Sequence, residues 1–215
     1  NPNPNPNPNP NPNPNPNQAS SARLERNTVR DGKDCGVALC QGCTSTLHGN
    51  VLRGHKKANV LIYGKATHVT LLRNKIEAGE QAGVYMYAAS KATLEDNEVF
   101  ANAGPGILIT EKCDPVVSLN AIHSGDDAGV LVHEEGKGTF VYNNVYNNRT
   151  YGLAVLTGGC SLIRSNWLHG LRQGGLLVDE GGAPTVTENE IESNSKSGIT
   201  LRGACNPIVT KNRVH

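Results

Sequence analysis

The sequence predicts an all-β fold, a right-handed parallel β-helix (solenoid) of about nine 23-residue coils, on three observations. The first is an asparagine followed two residues later by an aliphatic side chain, at Asn27, Asn50, Asn74, Asn97, Asn120, Asn143, Asn166, Asn189 and Asn212. The steps are 23, 24, then 23 six times. The second is a marker at the same period, Gly36, Asn59, Gly83, Gly106, Gly129, Gly152, Gly175 and Gly198, each followed by an aliphatic residue. The third is local: apolar residues alternate, as in Gly129-Val130-Leu131-Val132 and from Val186 to Ile191. A period of two means strands, and a fixed longer period means stacked repeats.

Residues 1–18 come first and differ from the rest. Eight of the twelve prolines alternate with asparagine from Asn1 to Asn17, which fixes φ at every second residue and removes every second amide donor. Such an arm builds no core and is expected to be a disordered or extended spacer. Residues 19–215 form the second part, the β-helix domain. Each unit holds two or three strands too short to stand alone, and stacking buries their apolar faces. With coils about 4.8 Å apart, the eight steps from Asn27 to Asn212 make a rod of roughly 38 Å. The chain starts at Asn1 rather than Met and ends inside the pattern, so it is expected to be part of something longer.

Every coil has to turn at fixed places. The repeated glycines are expected to supply φ > 0 there, with Asn59 the tolerated substitute. The anchoring asparagines fall at an inward turn, where stacked amides can bond to one another and to turn backbone. They are expected to be a structural ladder rather than catalytic groups. Five residues after each anchor stand Gly32, His55, Gly79, Asn102, Gly125, Asn148, Leu171 and Asn194, an approximate two-coil alternation that predicts two alternating turn types.

Twenty basic and nineteen acidic side chains leave a net charge of +1. That balance gives no overall electrostatic footprint, so neither nucleic acid nor a membrane surface is expected as a partner. No apolar run approaches the roughly 20 residues of a membrane span. Cys43, Cys113 and Cys205 lie seven residues before an anchor and Cys160 six, which puts them on one turn of different coils, beyond bridging distance. Cys35, Cys40 and Cys43 do not converge as zinc ligands, because alternation sends Cys40 outward. Reduced thiols point to a cytoplasmic or nuclear compartment. No metal centre and no cofactor is expected.

Pectate lyases, polygalacturonases and uronan epimerases use this architecture, and such enzymes need carboxylates converging on an outward strand face. The outward positions of the Gly-led strands read Ala38, Leu61, Tyr85, Leu108, Leu131, Ala154, Leu177 and Thr200 in one column. The next column reads Cys40, Tyr63, Tyr87, Thr110, His133, Leu156, Asp179 and Arg202. Asp179 faces Arg202 as a cross-strand ion pair, so no catalytic residue is assigned. After the anchors, Trp167, Glu190 and Arg213 share a column, and His169, Glu192 and His215 the next. The two histidines, two coils or about 10 Å apart, are too distant to share a metal. The feature that stands out is apolar: Leu61, Tyr85, Leu108 and Leu131 on consecutive coils, with Tyr63, Tyr87 and His133 beside them. Solvent-facing strands do not normally carry so much contiguous apolar surface. It is expected to bind a protein or peptide through its tyrosines, or to be covered by flanking sequence.

The stretches Ala128 to Gly138, Tyr142-Asn143-Asn144-Val145-Tyr146-Asn147-Asn148 and Gly203 to His215, with the turn His123-Ser124-Gly125, resemble the β-helix repeats of the F-box-only proteins ten and eleven. The resemblance covers Leu24 to His215. It implies a non-catalytic rod that recruits a degron-bearing substrate to an SCF-type ubiquitin ligase, with Skp and cullin contacted only through sequence not present here. The alternative from a different class is a carbohydrate-binding or carbohydrate-active β-helix, with Trp167 and the tyrosines as stacking platforms.

Overall fold

The computed structural model describes residues 20–215, so the expected Asn-Pro arm lies outside the described residues. Short strands pair in parallel, each with the strand one coil away, in three sheets. Sheet A runs from Arg23–Glu25 to Ile208–Thr210 and sheet B from Thr28–Arg30 to Arg213–Val214, with nine strands each. Sheet C has eight strands, from Val37–Leu39 to Ile199–Leu201. The chain is thus the expected all-β right-handed parallel solenoid.

Alternation sends every second residue of a strand into the rod, and parallel in-register pairing stacks like on like. Sheet A contributes Leu47, Leu71, Leu94, Val117, Phe140, Ile163 and Val186; sheet B contributes Leu52, Ile76, Val99, Ile122, Val145, Leu168 and Ile191, all essentially buried. The single step of 24 has a location. Val37 pairs with Val60, 23 residues on, whereas Val60 pairs with Val84 and Thr44 with His68, 24 on. The extra residue therefore sits in the turn between Tyr63 and His68.

The asparagine ladder forms as expected. Each anchor from Asn27 to Asn189 donates its side-chain N–H to the Oδ1 of the next anchor, at 2.8–3.2 Å over eight links. The same Oδ1 also accepts the preceding anchor's backbone N–H, as from Asn97 to Asn120 at 2.9 Å. The second Nδ2 proton goes to strand carbonyls, as from Asn120 to the Leu94 C=O. In the rod interior, where water has no access, this pairing satisfies the backbone groups that the turn frees.

Two expectations about the turns are corrected. Neither the repeated glycines nor Asn59 takes φ > 0; the left-handed residue is the one before each anchor, such as Asp96 (φ 54) and Leu119 (φ 59). The glycines are required by close approach instead: a Cβ on Gly129 would lie 2.5 Å from Val145 Cγ1 and 2.8 Å from the Gly152 carbonyl oxygen. Nor do two turn types alternate after sheet B. The residue before that position is left-handed in coil after coil, at Asp31, Gly54, Ala78, Ala101, Ser124, Asn147, Gly170 and Ser193. What alternates is the inward side chain: Asn102 Oδ1 accepts the Gly79 N–H at 2.9 Å and Asn148 Oδ1 accepts the Gly125 N–H at 3.0 Å. An asparagine fills the space that a glycine on the neighbouring coil leaves.

Three side chains placed in the outward columns are not exposed. Thr110 is buried and its hydroxyl donates to the Met86 C=O, and Ala154 and Leu177 are buried too. The six cysteines are free. Cys43 and Cys113 are buried, but Cys160 leaves their turn, pairs with Lys137 on sheet A and is exposed. One residue of shift flips it to the other face.

Candidate functional site

Sheet C builds the apolar column as its register requires. Leu61 pairs with Tyr85, Tyr85 with Leu108, and Leu108 with Leu131. Two strands, Val60–Tyr63 and Val84–Tyr87, run to four residues where Val37–Leu39 and Ile107–Ile109 stop at three. That extension brings Tyr63 opposite Tyr87. Their rings stack with centroids 4.9 Å apart and planes within 2°, and Tyr85 lies 5.2 Å from Tyr87, tilted by 36°.

These tyrosines and Leu61 line a groove of about 640 Å³, completed by Ala38, Cys35, Ala58, Gln81, Glu111 and the Asp34–Lys57 pair. Asp34 and Lys57 meet at 2.9 Å. The Lys57 ammonium, helped by the Cys35 backbone N–H, holds the Asp34 carboxyl below its usual value. Tyr63 is pushed up by the Cys40 thiol beside it, and Tyr87 chiefly by loss of water around its hydroxyl. Both remain neutral hydroxyls at ordinary pH, able to donate and accept hydrogen bonds. Of the residues expected at the site, Leu61, Tyr63, Tyr85 and Tyr87 come together here. Leu108 and Leu131 continue the column beyond the groove, and His133 sits 3.6 Å from Glu134 on the neighbouring turn.

Sheet B carries a feature the sequence reading did not single out. Phe100, His123, Tyr146 and His169, the third residues of consecutive strands, form a column of rings stacked at 5.1, 4.5 and 5.2 Å, with planes within 13°. Trp167 lies over His169 at 3.9 Å. The signal was available three residues after each anchor, but phenylalanine, histidine and tyrosine do not look alike until their rings are stacked. The ring faces meet one another, so the column stiffens the rod more than it offers a platform. His169 is bonded to Asn144 Oδ1 at 2.9 Å, and Trp167 donates its ring N–H to Glu192 at 2.9 Å. Burial lowers the His169 pKa, an effect the Glu192 charge opposes.

Charge follows the same coil logic. Lys57–Asp34, Arg73–Asp96, Lys75–Glu98, Lys112–Glu135, Arg149–Asp126, Arg202–Asp179 and Arg213–Glu190 are ion pairs between residues 23 apart. The expected Asp179–Arg202 pair is among them, at 2.7 Å.

Solved structures with the same fold include a double mutant of the periplasmic alginate epimerase AlgG, with TM-score 0.78 and 12% identity over 92% of this chain and 51% of that one. The A-modules of two Azotobacter vinelandii mannuronan C-5 epimerases are also similar. AlgE4 has TM-score 0.68 and 14% identity over 90% of this chain and 61% of its own. AlgE6 has TM-score 0.58 and 13% identity over 86% and 65%. The chain thus spans about half to two thirds of the length of these structures. No curated protein matches it. The family model described as right handed beta helix region matches residues 15–168 and 155–215; with the coil register and three parallel sheets, this establishes that the chain belongs to the right-handed β-helix region family.

Proposed function

We propose that the chain is a carbohydrate-binding β-helix that holds a glycan against sheet C. The observation that carries this reading is the groove over Tyr63, Tyr85, Tyr87 and Leu61, edged by Asp34, Lys57, Gln81 and Glu111. Sugars present apolar C–H faces and dense hydroxyls. A concave site with aromatic surface and a few carboxylate, amide and ammonium groups matches both. The raised pKa values of Tyr63 and Tyr87 suit hydrogen bonding to hydroxyls and do not suit a general base, which needs a pKa near the working pH. The solved neighbours, which are described as acting on alginate or mannuronan, favour a carbohydrate ligand over recruitment of a protein to a ubiquitin ligase. The protein-binding reading draws on the extension of the apolar column through Leu108 and Leu131, and the comparisons lend the F-box family no support.

Calorimetric titration with a panel of neutral and acidic oligosaccharides tests this. The expected result is binding that Tyr85→Ala weakens at least tenfold with the unfolding midpoint nearly unchanged, because the side chain lies on the outer face. Absence of binding across the panel would overturn the reading.

A further inference from the structure

We infer that the turns leading from sheet C into sheet A form a second, cationic subsite that seats the anionic groups of an acidic glycan, either carboxylated or sulfated. This deepens the carbohydrate reading and rests on it. A groove of about 530 Å³ there is lined by Lys65, His68, Lys91, Lys112 and Lys137, with Asp114 as the one carboxylate.

The fold makes this concentration of charge. His68 and Lys91 pair directly across the sheet. The Lys91 N–H bonds to Thr67 O, that of Asp114 to Ser90 O and that of Lys137 to Cys113 O, so the four occupy one column on consecutive coils. Lys91 and Lys137 are therefore two coils, about 9.6 Å, apart along the axis. Lys65 comes from the turn between Tyr63 and His68 that carries the extra residue. Elsewhere on the rod, six cations are matched by an acid one coil away. Here Lys112 is so matched, by Glu135 at 3.4 Å, while Lys65, Lys91 and Lys137 enter no ion pair among the described residues. A net charge of +1 conceals this, because paired charges elsewhere cancel and the unpaired lysines collect in one concavity. Asp114 stands between Lys91 and Lys137 in the column, but four lysines face this one carboxylate, and an anion that lies along the groove balances the excess positive charge.

The two grooves meet. Lys65 stands two residues after Tyr63 and Ala89 two after Tyr87, and the adjacent residues Glu111 and Lys112 line the tyrosine groove and the cationic one respectively. A single glycan strand can thus touch the tyrosines with its rings and the lysines with its charges. Nucleic acid fits less well, because the one ring lining the lysine groove is the His68 imidazole, which gives successive bases little surface on which to stack.

The test compares a polyuronate oligomer, its carboxyl-reduced form, a sulfated glycan of equal length and single-stranded DNA on the whole chain. At 50 mM salt at least one acidic glycan is expected to bind ten times more tightly than the reduced form or more, and the tighter of the two names the anion. That advantage should shrink severalfold at 200 mM salt, as screening requires. The double variant Lys91→Gln, Lys137→Gln should erase it, leave the reduced form's affinity unchanged and keep the unfolding midpoint, since both side chains are exposed. Equal wild-type affinity for charged and reduced oligomers, an unchanged preference in the double variant, or DNA bound as tightly as the glycans would overturn this inference while leaving the carbohydrate reading in place. Failure of the charged and reduced oligomers alike to bind would sink both.

Discussion

Two turns of the same coil obey opposite rules. Between sheets A and B, one left-handed residue precedes an asparagine nine times over, from Asn27 to Asn212, and the amides lock into a buried column. Between sheets C and A, the turn places left-handed residues such as Gln41-Gly42, Ala88-Ala89, Glu111-Lys112, Glu134-Glu135 and Thr157-Gly158. Here the backbone repeats and the side chains do not. The difference follows from where the backbone groups go. In both turns a left-handed residue's N–H bonds to the next coil, as from Asp96 to Ser118 O and from Ala89 to Glu111 O. The N–H that follows points inward in the A–B turn and needs an amide to meet it, whereas in the C–A turn it closes on its own turn, as from Cys113 to Thr110 O, and asks for no particular side chain. One edge of the rod is therefore committed to stability, and the other is free to carry lysines and a groove.

The sharpest way to break this comparison is to remove one amide at each place along the ladder. Asn120→Ala deletes the acceptor of the Asn97 backbone and side-chain N–H groups and strands the Leu94 carbonyl, all in the interior. Leaving these three buried groups without their partner is expected to cost about 2–4 kcal/mol. At the exposed first coil the Asn27 side chain donates to Asn50 Oδ1 and accepts from no group among the described residues, and Asn27→Ala should cost under about 1 kcal/mol. Urea unfolding of both variants would check this, and equal losses would show that the ladder is not cooperative with burial.

A second pair of substitutions separates crowding from backbone conformation. On Gly129 a Cβ would press on Val145, the Gly152 carbonyl and Asn148 Nδ2 at 2.5–2.9 Å, so Gly129→Ala is expected to cost about 2–3 kcal/mol, as overpacking does. Gly158, in the C–A turn, has φ +72 and its nearest prospective contact is Glu135 Cγ at 3.7 Å. Gly158→Ala should cost only about 1 kcal/mol, the left-handed penalty alone. Thermal unfolding that ranked the two the other way round would contradict the close-approach account of the repeated glycines.

These cases mark what the sequence made legible. The period, the strands, the sheet C column and the asparagine ladder could be read because each depends on a residue type recurring at one position. The role of Gly129 could not, since a left-handed glycine and a crowded glycine are the same letter, and only the distance to the next coil tells them apart. Thr110 looked outward because alternation was carried one residue past the end of its strand, Ile107–Ile109. The Phe100–His123–Tyr146–His169 column was hidden by its mixed composition. The lysine groove was hidden differently: its cations come from two columns and a lengthened turn, and a total charge of +1 averages them against acids on other faces.

The smallest expected effect bears on the permissive turn itself. Ala89 has φ 55 and its neighbour Ala88 φ 57, a conformation that costs an L-residue roughly 1–2 kcal/mol. Ala89→Gly removes that strain but frees the unfolded chain by about 0.4–1 kcal/mol, so the net gain should be about 0.5 kcal/mol. Ala89→Val keeps the strain and adds a branched side chain that tolerates φ > 0 poorly, and should lose about 1 kcal/mol or more. Opposite signs for the two variants in urea unfolding are what a strained but tolerated turn requires. If both were neutral, the C–A turn would be relaxed as built, and its freedom to vary would come from exposure alone rather than from a conformation that the coil stacking imposes.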